Sequence, residues 1–281
     1  MSRSRLVPVL VLLLCAAGCQ ALDGLLSGVT KPSVRVASVR IQDLTVRDLT
    51  LGLLLEVENP YSVPLPVLGL RYGLLSGGKT FLDGTSDEER LIPAYGKGDV
   101  PLTARLPFSG VLAVLQGVRP GSVFPYEAEI GLFVNAPALS RLELPLRHQG
   151  ELPVPAIPEV GIDGIRWDDL SLSRVAGTIS LGIRNTNEFP VDLSSLDFGL
   201  RLAGVDVGRA GGARALPFAA GARQTLDLPI SFSPTQGALA LLSALGGSGA
   251  DYSLTGGLRA GTPFGPIEFP ISGAGKARTT R

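Results

Sequence analysis

The chain has 281 residues, 45% of them hydrophobic and 18% charged, with a formal net charge of zero. That balance excludes a disordered polymer, which pairs low hydrophobicity with high net charge, and leaves no basic stripe for a nucleic-acid partner. The length suits two domains of ordinary size, and 36 glycines with 22 prolines favour short strands joined by turns over long helices.

Arg3 and Arg5 precede the apolar run from Leu6 to Leu14, which is too short to cross a bilayer as a helix. Ala16-Ala17-Gly18-Cys19 then supplies small residues before a cysteine, so residues 1–18 read as a secretory signal peptide. The stretch LLLCAAGC also resembles a bacterial lipobox, which implies that Cys19 becomes the lipidated first residue of the mature chain. Ala16 stands where such boxes usually carry leucine, and bulky Leu14 rules out Cys15 as the modified residue. The alternative is an ordinary signal cut near Ala17 or Gly18, which leaves Cys19 as a free thiol. Either way no intramolecular disulfide is available after Cys15 is removed. Gln20, where an aspartate would hold such lipoproteins at the inner membrane, implies the outer membrane, facing the periplasm. Residues 19–32 form a tether in which Leu22, Leu25, Leu26 and Val29 fall at helical spacing, too short for a stable isolated helix.

The rest of the chain says nearly the same thing twice. LEVENPYSVPLPVLGLRYGL at 55–74 and LGIRNTNEFPVDLSSLDFGL at 181–200 align without a gap at an offset of 126 residues. Arg40 meets Arg166, Asp43 meets Asp169, Asn59 meets Asn185 and Pro64 meets Pro190. Downstream, LTARLPFS at 102–109 aligns with LDLPISFS at 226–233, an apparent slip of two. A period of this size is a domain rather than a solenoid unit, so the chain is a tandem duplication. The copies span 33–154 and 155–276, joined by the proline-rich ELPVPAIPEV at 151–160 and followed by a basic tail at 277–281.

Within each copy, Leu53, Leu55 and Val57, or Ile179, Leu181 and Ile183, alternate with their neighbours as in a half-buried strand that the shared asparagine ends. A hairpin follows around Ser76-Gly77-Gly78, with its counterpart near Ala203-Gly204. Further strands are predicted at 99–108, 123–134 and 141–149, and at 223–232, 250–260 and 266–274. SGVLAVLQG at 109–117 and QGALALLSAL at 236–245 predict one short helix per copy. The fold class is mainly β: two tandem antiparallel β-sandwiches, immunoglobulin- or fibronectin-III-like, each with one short helix.

A strand ending in N-P or N-x-N, an FPV-like run, a G-L hairpin and then LIPAYGKGDVPLTARLPFS at 91–109 resembles the group 2 late-embryogenesis-abundant domain, also called the water-stress and hypersensitive-response domain. ALPFAAGARQTLDLPISFS at 215–233 repeats the resemblance, which covers nearly all of 33–276. The resemblance implies a folded sandwich and an association with desiccation and related stress. It does not supply a mechanism.

Chemistry-bearing patterns are sparse. His148 is the single histidine and is expected at the end of the last strand of copy one, which precludes a histidine-based metal cluster. Asp168-Asp169 and Asp87-Glu88-Glu89 lack the spacing of a calcium loop and read as solvated turns, and Arg40 and Arg166 are candidates to pair with Asp43 and Asp169. Gly246-Gly247-Ser248-Gly249 follows the second predicted helix rather than opening one, and Trp167 takes the place of Ile41 as a core residue or an exposed patch. Nucleophile elbows, phosphate loops and dinucleotide fingerprints are absent from the sequence. The sequence thus predicts no enzyme, cofactor, metal or small-molecule substrate. It predicts a membrane partner through lipid on Cys19, and either a stress-protective surface or an envelope adaptor that binds a protein through sandwich edges.

Overall fold

The structure is a computed structural model that describes residues 30–137, 140–171, 173–233 and 249–280. Cys19, the signal peptide, most of the tether, the helix predicted at 236–245 and Gly246–Ser248 lie outside the described residues.

Copy one contains β1 (Ser33–Leu44), β2 (Asp48–Glu58), β3 (Leu65–Ser76), β4 (Lys79–Ser86), β5 (Arg90–Ile92), β6 (Lys97–Pro107), α1 (Phe108–Val114), β7 (Val123–Ala136) and β8 (Ser140–Pro153). Copy two contains β9 (Glu159–Leu170), β10 (Val175–Arg184), β11 (Val191–Leu202), β12 (Val205–Phe218), β13 (Arg223–Phe232), β14 (Ala250–Thr262) and β15 (Gly265–Thr280). In copy one a three-stranded sheet, β1-β2-β6, faces a second sheet ordered β4-β3-β7-β8, with β5 also paired to β3. Copy two repeats both as β9-β10-β13 and β12-β11-β14-β15. Alternate residues point inward, so Leu49, Leu51, Leu55 and Val57 of one sheet meet Leu70, Leu74, Ile130 and Leu132 of the other in a buried core.

The duplication extends to defects in the ladders. Bulges leave Ala37, Gln42, Leu68 and Phe81 unpaired in copy one, and Asp163, Asp168, Ser194 and Val207 in copy two, each pair 126 residues apart. Bulges fix strand bend and register, so two copies that share all four share a backbone as well as a pattern. The ladders also correct the downstream alignment. Leu53 pairs with Leu102, and Ile179 pairs with Leu228, so Leu102 corresponds to Leu228 and the offset holds through β6 and β13. A slip of two is invisible to a period-two pattern, because inward residues stay inward.

Both predicted hairpins form. Gly77 and Gly78 have φ of 56° and 76°, and Ala203 and Gly204 have 49° and 81°. Two consecutive left-handed residues match the twist of the flanking strands. The second arm of the later hairpin, β12, runs on to Phe218 even though Gly208, Gly211 and Gly212 give it weak strand propensity.

The copies differ at the last strand. β15 continues through 277–280 of the basic tail and pairs in parallel with β9 at Gly164–Arg166, which joins the two sheets of copy two. In copy one the equivalent path runs into Pro153, Pro155 and Pro158, which lack the amide donor a ladder needs. His148 adds a steric reason. It lies within β8 opposite Ala128, not at the strand's end as expected, and its counterpart is Gly273. A β-carbon at Gly273 would stand 2.7 Å from the Val160 carbonyl oxygen, so β9 can approach β15 only where that side chain is missing.

Ala203 carries its left-handed backbone without the freedom of glycine. Ala203→Gly should raise the unfolding free energy by roughly 0.5–1 kcal/mol, the αL strain relieved less the entropy glycine loses on folding. Denaturant melts of the two chains check this, and a loss of stability would show that the turn is not strained.

Candidate functional site: two asparagine hubs and the joint between repeats

The chain crosses between sheets twice near each asparagine: from β2 to β3 and from β5 to β6 in copy one, and from β10 to β11 and β12 to β13 in copy two. Such crossings leave backbone groups without ladder partners. Asn59, 1% exposed, supplies them. Its Nδ2 donates to the carbonyls of Val63 (2.8 Å), Ile92 (3.2 Å) and Pro93 (3.0 Å), and its Oδ1 accepts from the Tyr61 amide at 2.9 Å. Asn185 makes the equivalent bonds to Phe189 (2.9 Å), Phe218 (3.4 Å), Ala219 (3.1 Å) and the Asn187 amide (3.0 Å). Every partner is displaced by 126 residues. No other side chain of this size has both a two-hydrogen donor and an acceptor.

One position in the hub separates the copies. Where copy one has Tyr61, copy two has Asn187, which reaches the linker: its Oδ1 accepts from the Ala156 amide at 2.7 Å and its Nδ2 donates to the Ala156 carbonyl at 3.0 Å. The loop before β7 adds to the joint. Gly121 donates to Val154 O (2.6 Å), Val154 donates to Ser122 O (2.9 Å), and Glu188 donates to Gly121 O (2.7 Å). Arg119 and Glu188 form an ion pair across the joint at 2.7 Å. Gly121 has φ 91°, and a β-carbon there would stand 2.7 Å from Thr186 O. The linker is therefore held by both copies, as the proline content favours. The sequence signal for this contact is the contrast of N-P-Y at 59–61 with N-T-N at 185–187.

The residues singled out for chemistry stay apart. Asp168 and Asp169 are exposed, and Glu88 pairs with Arg90 at 3.0 Å. Arg166 faces Asp168 at 3.6 Å rather than Asp169, because residues two apart share a strand face. Trp167 is a core residue, and its Nε1 has no partner among the described residues. His148 packs its ring 6.2 Å from that of Tyr126. No group of three His, Cys, Asp or Glu that could hold a metal occurs among the described residues. Among the described residues, two carboxyl groups depart from ordinary values, both downward, toward the ionised form. The Arg105 guanidinium holds Asp48 below the usual carboxylate range, and Lys97, with Arg35, does so for Glu56. These groups are tuned as salt-bridge partners, the opposite of a general acid.

Asn59→Ala or Asn185→Ala leaves buried carbonyls without donors and should cost about 2–4 kcal/mol in denaturant unfolding; a loss under 1 kcal/mol would deny the hub its role. Asn187→Ala should leave each sandwich folded while speeding proteolysis near Ala156 about tenfold, as local opening becomes easier. Unchanged cleavage would show that the joint holds without it. Because Asp48 is lowered in the folded chain, its contribution to stability is present above the unfolded carboxyl value and is lost as pH falls through the folded one. Asp48→Asn should therefore flatten the acid limb of the stability profile; an unchanged limb would contradict the assignment.

The family model LEA_2, late embryogenesis abundant protein, matches residues 54–150 and 180–275. The desiccation-related protein PCC27-45 of Craterostigma plantagineum is 26% identical over 134 residues, covering 48% of this chain and 89% of the relative. Late embryogenesis abundant protein Lea14-A of Gossypium hirsutum is 22% identical over 134 residues, with the same coverages of 48% and 89%. The solution structure of the late embryogenesis abundant protein At2g46140.1 is similar to 52% of this chain over 88% of its own length, with 20% identity and a TM-score of 0.39. With the matched segments covering most of both sandwiches, the chain belongs to the late embryogenesis abundant family LEA_2 and carries its domain twice.

Proposed function

We propose that this chain is a non-enzymatic, lipid-anchored protein of the cell envelope that serves water-stress tolerance through surface contacts with membrane and proteins. The observation that carries this reading is the pair of LEA_2 domains, whose relatives are named for desiccation and align over most of their own length. Anchoring rests on Cys19 behind its apolar leader, and Gln20 supports the outer membrane, facing the periplasm. The partners are then the membrane, through lipid on Cys19, and envelope proteins that meet the exposed sandwich surfaces.

The sheet edges favour surface contact over strand addition by an adaptor. On β6, Lys97, Pro101, Arg105 and Pro107 point outward, and β13 exposes Arg223, Asp227 and Pro229. Proline and charge on an edge block an incoming strand.

A drying and rehydration assay tests the reading. The chain without its anchor, and each copy alone, are dried with an aggregation-prone reporter enzyme beside an equal mass of an inert folded protein. The expected result is reporter activity above that control, partly retained by single copies. Recovery equal to the control would contradict the protective role and favour a specific envelope partner, to be sought by pull-down.

A further inference from the structure

We propose that one corner of copy one lies against a lipid surface. The corner carries Val63, Leu68, Leu91 and Tyr95, which are 47%, 40%, 65% and 75% exposed. Pro66 and Leu91 face each other across the β3–β5 ladder, so both point outward while Leu65, Val67 and Ile92 point into the core. Leu68, the bulge residue, lies two positions farther along the same strand. Val63 and Tyr95 sit on the two crossing loops, tied together by the Tyr95 amide on Tyr61 O at 2.9 Å. Tyr95 has φ 52°, an uncommon backbone for an aromatic residue, and it presents the ring outward.

Copy two shows that the fold does not require this patch. The counterparts are Phe189, Ser194, Pro217 and Gly221, and Asp192 replaces Pro66. Phe189 is buried against Phe264, with ring centroids 5.3 Å apart. The apolar corner is thus a property of copy one alone.

Its position identifies the occupant. Ser33, the first residue of β1, pairs with Glu58, and the next residue, Asn59, begins the loop that carries Val63. The corner therefore adjoins the point where the chain enters copy one. Cys19 precedes Thr30 by 11 positions, at most about 40 Å of extended chain. A lipid on Cys19 would tether the molecule by this end, which makes the corner the part of copy one that adjoins the attachment point. Aliphatic residues beside a tyrosine, with Lys31 exposed nearby, suit the apolar–polar boundary of a membrane. Apolar contact there also supplies the second attachment that lipid anchors commonly need. The proposal rests on the reading of Cys19 as an anchor.

The test separates the two. The chain from Cys19 onward, which contains every described element, is coupled through the Cys19 thiol to a maleimide phospholipid in phosphatidylethanolamine–phosphatidylglycerol vesicles. Attachment then does not depend on native modification. Leu91→Trp is introduced with Trp167→Phe, and brominated lipids serve as the quencher. Leu112→Trp is the control, since α1 follows the far end of β6, roughly 30 Å away by strand rise. The expected result is quenching of the indole at position 91 by about half, little quenching at position 112, and at least a twofold loss when Val63→Ser and Tyr95→Ser are added. Equal quenching at both positions, or none at 91, would overturn the proposal, and the latter outcome would turn the corner toward a protein partner. The mass of Cys19 in the exported protein decides the anchor reading on its own: an unmodified thiol overturns that reading and, with it, the physiological contact.

Discussion

Each sandwich depends on one buried amide. Where the chain leaves one sheet for the other, backbone carbonyls from two separate crossings converge, and Asn59 or Asn185 meets them with the same geometry. A low-dielectric interior makes these bonds stronger and their absence costlier. The core around them is aliphatic and non-directional, so it tolerates repacking. The amide is directional and tolerates little. It fixes which crossing lies beside which, and so sets how the two sheets face each other.

The second hub acquired a further task. With asparagine at 187 in place of tyrosine, the network extends to the linker, and the connection between copies becomes part of the fold of copy two. The two copies are then joined by hydrogen bonds as well as by the chain itself. In copy one the same corner carries exposed Val63, Leu91 and Tyr95, an apolar surface rather than a sealed one. One duplicated architecture thus yields a closed end where the copies meet and an open end where the chain enters.

Much of this was legible in the sequence. The duplication, the alternation at Leu53–Val57, both hairpins and the position of α1 followed from period and turn chemistry, and the family followed from their order. What was not legible lay where residues distant in sequence meet. A strand pattern repeats every two residues, so it could not fix the register of β13. Glycine in β12 left the length of that hairpin arm open, and its pairing with β11 as far as Phe218 comes from tertiary context. The linker contacts of Asn187 and the parallel pairing of β15 with β9 depend on which loops come together, and local residue types do not encode that. The asparagines themselves were visible as strand ends, but a turn residue and a buried hub look alike in one dimension.

Amide hydrogen exchange by NMR or mass spectrometry tests the central claim most directly, that directional bonds unite two sandwiches and their linker. The account predicts that the amides of Asn59, Asn185, Val154, Ala156 and Glu188 exchange slowly, with protection close to that of the β2 and β10 ladders. Fast exchange at Val154 and Ala156, with the ladders still protected, would contradict it and describe two independent domains on a free tether.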